Sequence, residues 1–500
     1  MMNTSIVRVT AALLLIGIAT SESAMAQNVP LDKATLHGDE VIDTPIGEIE
    51  LKDSYFDEQA SQRLFDEMDY QRASQAYIWS MPIVGFTTWR DRLAKAFGVT
   101  SNTDFVVLET LAEKRGVVTG NLTTPYIVNF SNLSDGAIQI EYPAGQTAGG
   151  VGDFWQRPVF DLGLTGPDKG NGATYIVVGP DDDPAKYRKD GVYVYQSATN
   201  NVFIGLRILD PAPSALDAFT AAYKMGRVGG KISTSQFISG RDVEWSATPA
   251  RGLEYWETLS STLNKEPVRE IDKPWMAMLA PLGIVKGQDF APDARQIAIL
   301  TKGAAMGELM LRNLQVTPRY TQPWWEGTHW YKSFDFQTSQ ETDTLQQIDQ
   351  RGTWFYEAVT SSKGMLQPTP GTGQVYMTTK VDSDGNMLRA DKTYKLHVPA
   401  NVPVGQFWAL TLYSENTRRP YDNGGTKIRD VNLDSRTEGL KYNRDGSIDL
   451  FIGAEAQAGY ESNFMKTVGD DGWFVYFRLY APEQAFFDKT FKLADFEVVD

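Results

Sequence analysis

The chain has 500 residues, a formal net charge of −16, no cysteine and three histidines, and 42% of its residues are hydrophobic. The acidic balance argues against nucleic acids and anionic membrane surfaces as partners, because both attract clustered lysine and arginine. The absence of cysteine excludes disulfide bonds, a thiol nucleophile and thiolate metal sites. At roughly 100–200 residues per domain, two or three domains with large cores are expected.

The first 26 residues have the organisation of a secretory signal peptide. Arg8 precedes an apolar stretch over residues 11–20, and Ala24-Met25-Ala26 is a small-residue cleavage pattern. The apolar stretch is shorter than the ~20 residues that a membrane-spanning helix needs. We therefore expect cleavage after Ala26, a periplasmic or secreted location, and no membrane insertion afterwards. A retained membrane anchor is the alternative.

The next part of the chain changes from polar to helical to β-rich. Residues 27–56 are polar and predict an N-terminal leader that docks on the following domain or stays loose. The following domain, over 57–212, begins with apolar residues at helical spacing. This spacing predicts a helix over 57–97 that ends or kinks at Pro82. From 104 to 210, six short β-rich runs separated by turn residues predict a first β-sandwich. The runs are 105–108, 126–130, 137–141, 174–178, 192–195 and 202–208.

Residues 213–365 are predicted to be a mainly helical connecting region. One segment covers 253–263 and another covers 342–359. The strongest helix is opened by Asp293, a good N-cap residue, and runs to Leu314. Its predicted apolar side includes Ile297, Leu300, either Ala304 or Ala305, Leu309 and Leu311.

Residues 366–500 are predicted to form a second β-sandwich. Five β-rich runs alternate with turns, and Asp-Gly pairs at 382–386 and 443–447 are typical of hairpins. The predicted fold class is therefore an α+β multidomain protein. It consists of two β-sandwich, jelly-roll-like domains with helical segments before and between them.

Short catalytic or metal-binding motifs give little support for an active centre. The Gly-rich stretch 163–172 lacks the Gly-Lys-Ser/Thr start of a helix that a phosphate-binding loop needs, so we interpret it as a hairpin loop. At Asp382 a calcium loop would need a glutamate at its twelfth position, which is Thr393. There is no Gly-x-Ser-x-Gly motif. We therefore predict no cofactor and no metal site.

Three stretches of the sequence, around 121–157, 324–331 and 416–421, combine aromatic rings with Arg, Asn, Glu or His. Arg can hold a carboxylate in a bidentate geometry or stack on a ring, and aromatic faces stack on other rings. Ordinary packing, turn capping and interdomain ion pairs are the alternative explanation. The candidate ligand-binding residues are Asn121, Tyr126, Trp155, Arg157, Trp325, Arg418 and Asn463.

These stretches favour a soluble exported protein that binds a small polar, aromatic or carbohydrate ligand in an interdomain cleft. A hydrolase acting in the same cleft is a second hypothesis. Its catalytic residues are unknown, and the candidates are Glu326, His329, Tyr126 and Arg418. A neutral His329 would serve as the base, and Arg418 would clamp an oxyanion or a carboxylate. A structural or assembly protein of the cell envelope is a third. A homo-oligomer is compatible with all three.

Longer motifs in the chain resemble proteins that combine a domain of unknown function 1254 with a C-terminal domain of unknown function 1214. The resemblance extends over about residues 70–500 and implies two β-sandwich-like domains with a helical portion. It implies little about chemistry. The motifs that carry it include Asn121–Tyr126, Asp161–Gly170, Tyr175–Pro180, Leu282–Ala294, Phe407–Tyr413, Asn416–Arg418, Asp445–Ser447, Gly472–Phe474 and Arg478–Tyr480.

Two positions depart from the pattern that the resemblance implies. Where the family often has Asp in an Asn-x-Asp-Thr-x-Tyr motif, this chain has Thr123. A carboxylate that was catalytic in relatives would therefore be lost here. The usual Asn-Trp-Ile-Gln-Thr is replaced by residues 463–467, which keep Asn463 and an aromatic residue after it.

Overall fold

The structure is a computed structural model that describes residues 28–240 and 243–499. The predicted signal peptide lies outside the described residues. The chain divides into two compact units, Met1–Met68 and Asp69–Asp500. No helix in the described part of the chain combines the length and apolar character that a membrane span requires.

In the first unit, the range predicted to be a leader forms a four-stranded sheet in the order β1-β2-β3-β4. In β3, Ile49 and Leu51 are buried and alternate with exposed glutamates, the two-residue period of a half-buried strand. A long helix, α1 (Glu58–Phe97), follows this sheet. The strands are β1 (Asn28–Pro30), β2 (Glu40–Thr44), β3 (Gly47–Lys52) and β4 (Tyr55–Phe56).

Helix α1 continues through Pro82, so the predicted end at this residue is wrong. A proline removes one backbone donor and disturbs the hydrogen bonds of the preceding turn. Side chains from other segments supply donors there instead. The Tyr255 hydroxyl donates to the Tyr77 carbonyl at 2.8 Å, and the buried Arg351 guanidinium donates to the Trp79 carbonyl at 3.2 Å.

The first β-sandwich consists of a six-stranded sheet, β15-β5-β6-β12-β8-β9, and a five-stranded sheet, β11-β10-β7-β13-β14. Its core lies between them, where Ile127 and Ile204 of the first sheet pack with Ile140 and Val177 of the second. The strands are β5 (Phe105–Leu108), β6 (Tyr126–Asn132), β7 (Ile138–Tyr142), β8 (Thr147–Asp153), β9 (Pro158–Gly163), β10 (Ala173–Val178), β11 (Val192–Gln196), β12 (Asn201–Ile208), β13 (Lys224–Arg227), β14 (Ser233–Thr234) and β15 (Phe237–Ile238).

The helical region packs against α1. Asp293 caps α6 in a reciprocal capping box with Gln296, which confirms the predicted start of this helix. Ile297 and Leu309 are 38% and 62% exposed, so their predicted place on its buried side is wrong. The remaining helices are α2 (Leu111–Lys114), α3 (Ala215–Ala222), α4 (Leu253–Lys265), α5 (Lys273–Leu279), α6 (Ala294–Val316), α7 (Ile348–Glu357), α8 (Lys363–Leu366) and α9 (Gln484–Phe487).

Glycines bring α6 close to α1. A Cβ atom at Gly303 would lie 2.4 Å from the Cβ of Ala73, and one at Gly307 would lie 2.5 Å from the Cβ of Tyr77. Larger residues would separate the two helices. These two glycines lie one helical turn apart on α6, and they therefore determine which face of the helix is buried. A count of apolar residues does not identify this face.

The second β-sandwich has a five-stranded sheet, β16-β17-β23-β19-β20, and a four-stranded sheet, β22-β21-β18-β24. Met377 and Phe477 of the first sheet share a core with Leu396 and Leu450 of the second. The predicted α+β multidomain class is thereby confirmed. The strands are β16 (Tyr331–Lys332), β17 (Gln374–Thr379), β18 (Thr393–Val398), β19 (Trp408–Ser414), β20 (Asn432–Asp434), β21 (Ile448–Gly453), β22 (Phe464–Lys466), β23 (Trp473–Tyr480) and β24 (Glu497–Val499).

Candidate functional site

The six-stranded sheet of the first sandwich has an outer face that points away from the sandwich core. Because successive side chains of a strand point to opposite faces, Ile204 and Leu206 of β12 enter the core while Gly205 and Arg207 point outwards. Arg207 lies opposite Tyr126 of the neighbouring strand β6. The guanidinium carbon is 4.7 Å from the centre of the Tyr126 ring.

Small residues line part of this outer face. Gly205 is paired with Gly150 of β8, and Arg207 is paired with Ala148 of the same strand. Gly150 is in turn paired with Asp161 of β9. A row of small residues therefore lies on this face, and the Phe203 ring packs over Gly205, where a Cβ atom would lie 2.5 Å from the ring.

The five-stranded sheet of the second sandwich presents a comparable outer face. In β23, Val475 and Phe477 enter the sandwich core, whereas Tyr476 and Arg478 point to the other side. Arg478 is paired with Tyr376 of β17. All residues of β23 are buried, so this outer face is covered by protein rather than exposed to solvent.

The two outer faces and the segment around α8 line one cavity, which we call the central cavity. Its empty volume is about 980 Å³, including the part that is open to solvent. The apolar lining side chains include Trp89, Val128, Phe203, Trp354 and Met365. The polar ones include Tyr126, Asp161, Arg207, Ser361, Tyr376, Tyr476 and Arg478.

Arg478 is held in place by several acceptors. Its Nη1 donates to the Thr411 hydroxyl at 2.9 Å, and its Nη2 donates to the Tyr413 hydroxyl at 2.7 Å and to the Thr119 carbonyl at 3.3 Å. Its guanidinium carbon lies 5.0 Å from the centre of the Tyr476 ring. Since Thr119 belongs to the first sandwich region, Arg478 also ties the two sandwiches together.

A buried acid–base network lies behind the wall formed by Tyr476. The Tyr476 hydroxyl donates to Glu357, and burial raises the pKa of this tyrosine well above its ordinary value. The Lys380 ammonium lies 3.2 Å from Glu357 and 3.1 Å from Glu415. These two carboxylates are therefore already engaged by a lysine and are not free to balance the arginines of the cavity.

Asp161 is the carboxylate among the residues that line the central cavity. Its oxygens accept from the backbone N–H groups of Lys363 at 3.1 Å and Gly364 at 3.0 Å. Burial nevertheless raises the pKa of Asp161 above its usual range. The side chain fastens the start of α8 to the first sandwich.

Lys114 lies behind Tyr126 and is almost fully buried. Its Nζ donates to the carbonyls of Leu122 at 3.3 Å and Thr124 at 2.9 Å. Burial, followed by the positive charge of Arg207, lowers the pKa of Lys114 to about 7. Burial is the larger cause, and the charge of Arg207 acts in the same direction.

The structure brings two of the three predicted stretches together beside the central cavity. Tyr126 lines it, and its hydroxyl accepts from Arg207 at 3.1 Å. Asn121 is buried next to it and donates to the Tyr480 hydroxyl of the second sandwich. The backbone N–H of Thr119 donates to the Arg418 carbonyl at 2.6 Å. The Arg418 guanidinium turns away to stack on Tyr356 at 3.8 Å.

Trp155 and Arg157 have structural surroundings and do not line the central cavity. Trp155 is buried, and its ring centre lies 4.9 Å from that of Trp79. Arg157 forms an ion pair with Asp153 at 2.7 Å. Trp155 therefore packs the first sandwich against α1, and Arg157 stabilises the turn between β8 and β9.

The remaining candidates belong to the second sandwich and also lie outside the cavity lining. Trp325 is buried against Phe486 and Phe491 in its core. The Asn463 amide donates to the carbonyl of Lys441 at 2.8 Å.

The two catalytic candidates, His329 and Glu326, also lie outside the lining of the central cavity. His329 Nδ1 lies 2.9 Å from Asp495, and Glu326 is exposed. No histidine lines the central cavity within the described residues. The geometry therefore offers the proposed hydrolase no histidine base at this site.

Arg207 and Arg478 were missed by the sequence reasoning, although a signal was present. Each is a charged residue inside a run that is otherwise apolar or aromatic, Val202–Ile208 and Trp473–Tyr480. A charge in such a strand is either paired or functional. Aromatic density near turns instead points to residues that pack within the sandwiches.

Comparison with known proteins gives the family of the chain. Residues 102–227 match "Protein of unknown function (DUF1254)", and residues 373–484 match "Protein of unknown function (DUF1214)". No curated protein gives a significant match.

Two solved structures are similar to the chain. The VPA0106 protein of Vibrio parahaemolyticus has 15% identity and a TM-score of 0.55, over 86% of this chain and 100% of that one. An uncharacterised protein of Burkholderia cenocepacia has 10% identity and a TM-score of 0.39, over 88% and 97%. The first likeness supports the fold alone. With both matched regions in the expected order, the chain belongs to the proteins that combine a DUF1254 region with a C-terminal DUF1214 region.

Proposed function

We propose that this protein is exported after removal of residues 1–26 and binds a small organic ligand in the central cavity. The observation that carries the proposal is the cavity itself, which both sandwiches and the α8 segment line with aromatic, hydroxyl and guanidinium groups. Clefts between domains with apolar walls and a few convergent polar groups are the usual sites of small ligands. Trp89 and Phe203 supply ring faces, and Tyr126 supplies a hydroxyl.

The row of small residues supports the same proposal. Gly150 and Gly205 lie side by side in the middle of a six-stranded sheet, where β-branched and aromatic residues are usual. Glycine in a strand weakens it and often marks a close approach of a ligand or another backbone. Both glycines line the central cavity, and the Phe203 ring lies over Gly205.

A cavity-filling variant tests this proposal. Gly152 lines the cavity, and a Cβ there would find its nearest neighbouring atom at 3.5 Å, so a larger side chain fits without a clash at its base. We expect one class among small aromatic compounds, polar metabolites and oligosaccharides to raise the melting temperature of the protein. A ligand at about 100 times its Kd adds about 2.7 kcal/mol to the free energy of unfolding. Gly152→Leu should abolish this stabilisation.

The control adds the same side chain at the surface, as Ala185→Leu, and should keep the stabilisation. The proposal is contradicted if no compound class stabilises the protein, or if the stabilised class acts equally on Gly152→Leu. Differential scanning fluorimetry gives the screen, and isothermal titration calorimetry gives the affinities.

A further inference from the structure

Two guanidinium groups enter the central cavity from opposite sandwiches without a carboxylate partner among the described residues. Arg207 comes from β12 and Arg478 from β23. Lys380, a buried cation of the second sandwich, has Glu357 and Glu415 within 3.2 Å.

Both arginines are held in position and keep donors free. Arg478 is fixed through its Nη atoms by Thr411 and Tyr413, whereas its Nε is buried and has no hydrogen-bond partner in the described part of the chain. Arg207 donates through Nη2 to Tyr126, and its buried Nη1 also lacks a partner there. Guanidinium groups that are positioned in advance with unused N–H groups are suited to bind an oxyanion.

Two more buried arginines lack an acidic partner, but they do not line the cavity. Arg351 donates to Gln340 at 3.0 Å, and Arg418 stacks on Tyr356. Burying a charge without a counter-charge is costly. For Arg207 and Arg478, an anion that enters the cavity would remove that cost.

The rest of the cavity limits what kind of anion fits. Trp89 and Phe203 form an apolar wall, with their ring centres 5.2 Å apart. Asp161 adds a carboxylate whose oxygens already accept from backbone N–H groups. A second negative charge on the ligand near Asp161 would be repelled, so the cavity favours one anionic group attached to an apolar body.

We propose that the central cavity binds a small organic oxyanion, a carboxylate or a phosphate ester, with its charged group between Arg207 and Arg478 and its apolar part against Trp89 and Phe203. This inference rests on the proposed ligand-binding function and specifies the class of ligand. The carboxylate and the phosphate share one chemistry, since both offer oxygens that accept from guanidinium N–H groups.

The test uses three probes with one aromatic body: 2-naphthoate, 2-naphthyl phosphate and the neutral 2-naphthamide. Isothermal titration calorimetry on the full chain measures their affinities. We expect at least one anionic probe to bind about tenfold or more tightly than the amide. Arg207→Gln should weaken the anionic probe by about tenfold or more and leave the amide within about twofold. Arg207→Lys should restore part of the affinity.

Two further variants complete the design. Arg389→Gln removes an exposed positive charge that is paired with Asp391, and it should change no affinity. Arg478→Gln should act like Arg207→Gln, and circular dichroism checks that it folds. If Arg478→Gln does not fold, the variants of Arg207, which is half-buried, test the inference by themselves.

The possible outcomes distinguish a failure of the anion inference from a failure of the ligand-binding proposal. If amide and anions bind equally and Gly152→Leu weakens them all, the cavity binds ligands and the anion inference is overturned. If Gly152→Leu affects none of the probes, the ligand-binding proposal fails as well. Tighter binding of the naphthoate assigns a carboxylate ligand, and tighter binding of the phosphate ester assigns a phosphate ligand.

Discussion

At the scale of single residues, Lys114 makes the stability of the fold depend on pH. Its folded pKa is lowered to about 7, mainly by burial, whereas an unfolded lysine titrates near pH 10.4. Between about pH 7 and about pH 10 the unfolded state therefore binds more protons, and the free energy of unfolding rises with pH. This residue contributes a slope of up to about 1.4 kcal/mol per pH unit.

Urea unfolding at several pH values in this window measures that slope. Lys114→Met should lose it, whatever the variant does to the absolute stability, because the slope depends only on the titrating amine. Lys186→Met is the control, since Lys186 is paired at the surface with Asp182 and its pKa is raised out of the window. Equal slopes for Lys114→Met and the parent chain would show that the pKa of the Lys114 amine is not lowered.

At the scale of elements, strand β8 contains three glycines, and two of them, Gly149 and Gly152, differ in the space around them. A Cβ at Gly149 would lie 2.3 Å from the Gly205 carbonyl oxygen, whereas one at Gly152 would have its nearest neighbour, the Arg157 carbonyl oxygen, at 3.5 Å. We expect Gly149→Ala to lower the free energy of unfolding by about 1–3 kcal/mol, because the neighbouring backbone must shift. Gly152→Ala should change it by less than about 1 kcal/mol, since it also restricts the unfolded chain.

Guanidinium chloride unfolding of the two variants gives the comparison, with equal m-values as the sign that only stability changed. Similar losses at both positions would contradict the assignment of Gly152 to a part of the cavity wall where a Cβ atom makes only ordinary van der Waals contacts.

At the scale of the whole unit formed by residues 69–500, one continuous core joins the helices to both sandwiches. Val128 and Phe203 of the first sandwich belong to the same cluster of buried side chains as Tyr376 and Tyr476 of the second. We expect this unit to unfold in one transition, so that far-UV circular dichroism and tryptophan fluorescence report the same midpoint.

Asn121→Ala tests this coupling, because its amide donates across to Tyr480. The variant should lower the single midpoint through a loss of about 1–3 kcal/mol, as the buried partners lose a hydrogen bond. Two separate transitions, with only one of them shifted by the variant, would show that the sandwiches unfold independently.

Local patterns were sufficient for much of the secondary structure. Strand β5 was predicted over its full length because β-branched residues dominate it, and Asp293 marked the start of α6 because its side chain accepts from the first turn. Strand β8 was missed because its glycines carry no β signal. Helix α1 passes Pro82 because Tyr255 and Arg351, distant in sequence, supply its carbonyls with donors.

The amino-acid sequence by itself determined the family, the fold class and the absence of cysteine chemistry. These properties depend on composition and on contiguous motifs. Only the tertiary structure decided which polar residues face the cavity. Tyr126, Arg207 and Arg478 meet there because strand pairing and the two-residue alternation of side chains place them on two opposing sheet faces. Contacts between strands more than 250 residues apart leave no local trace, so Trp155, Trp325 and Asn463 looked equally suitable and proved to be packing residues.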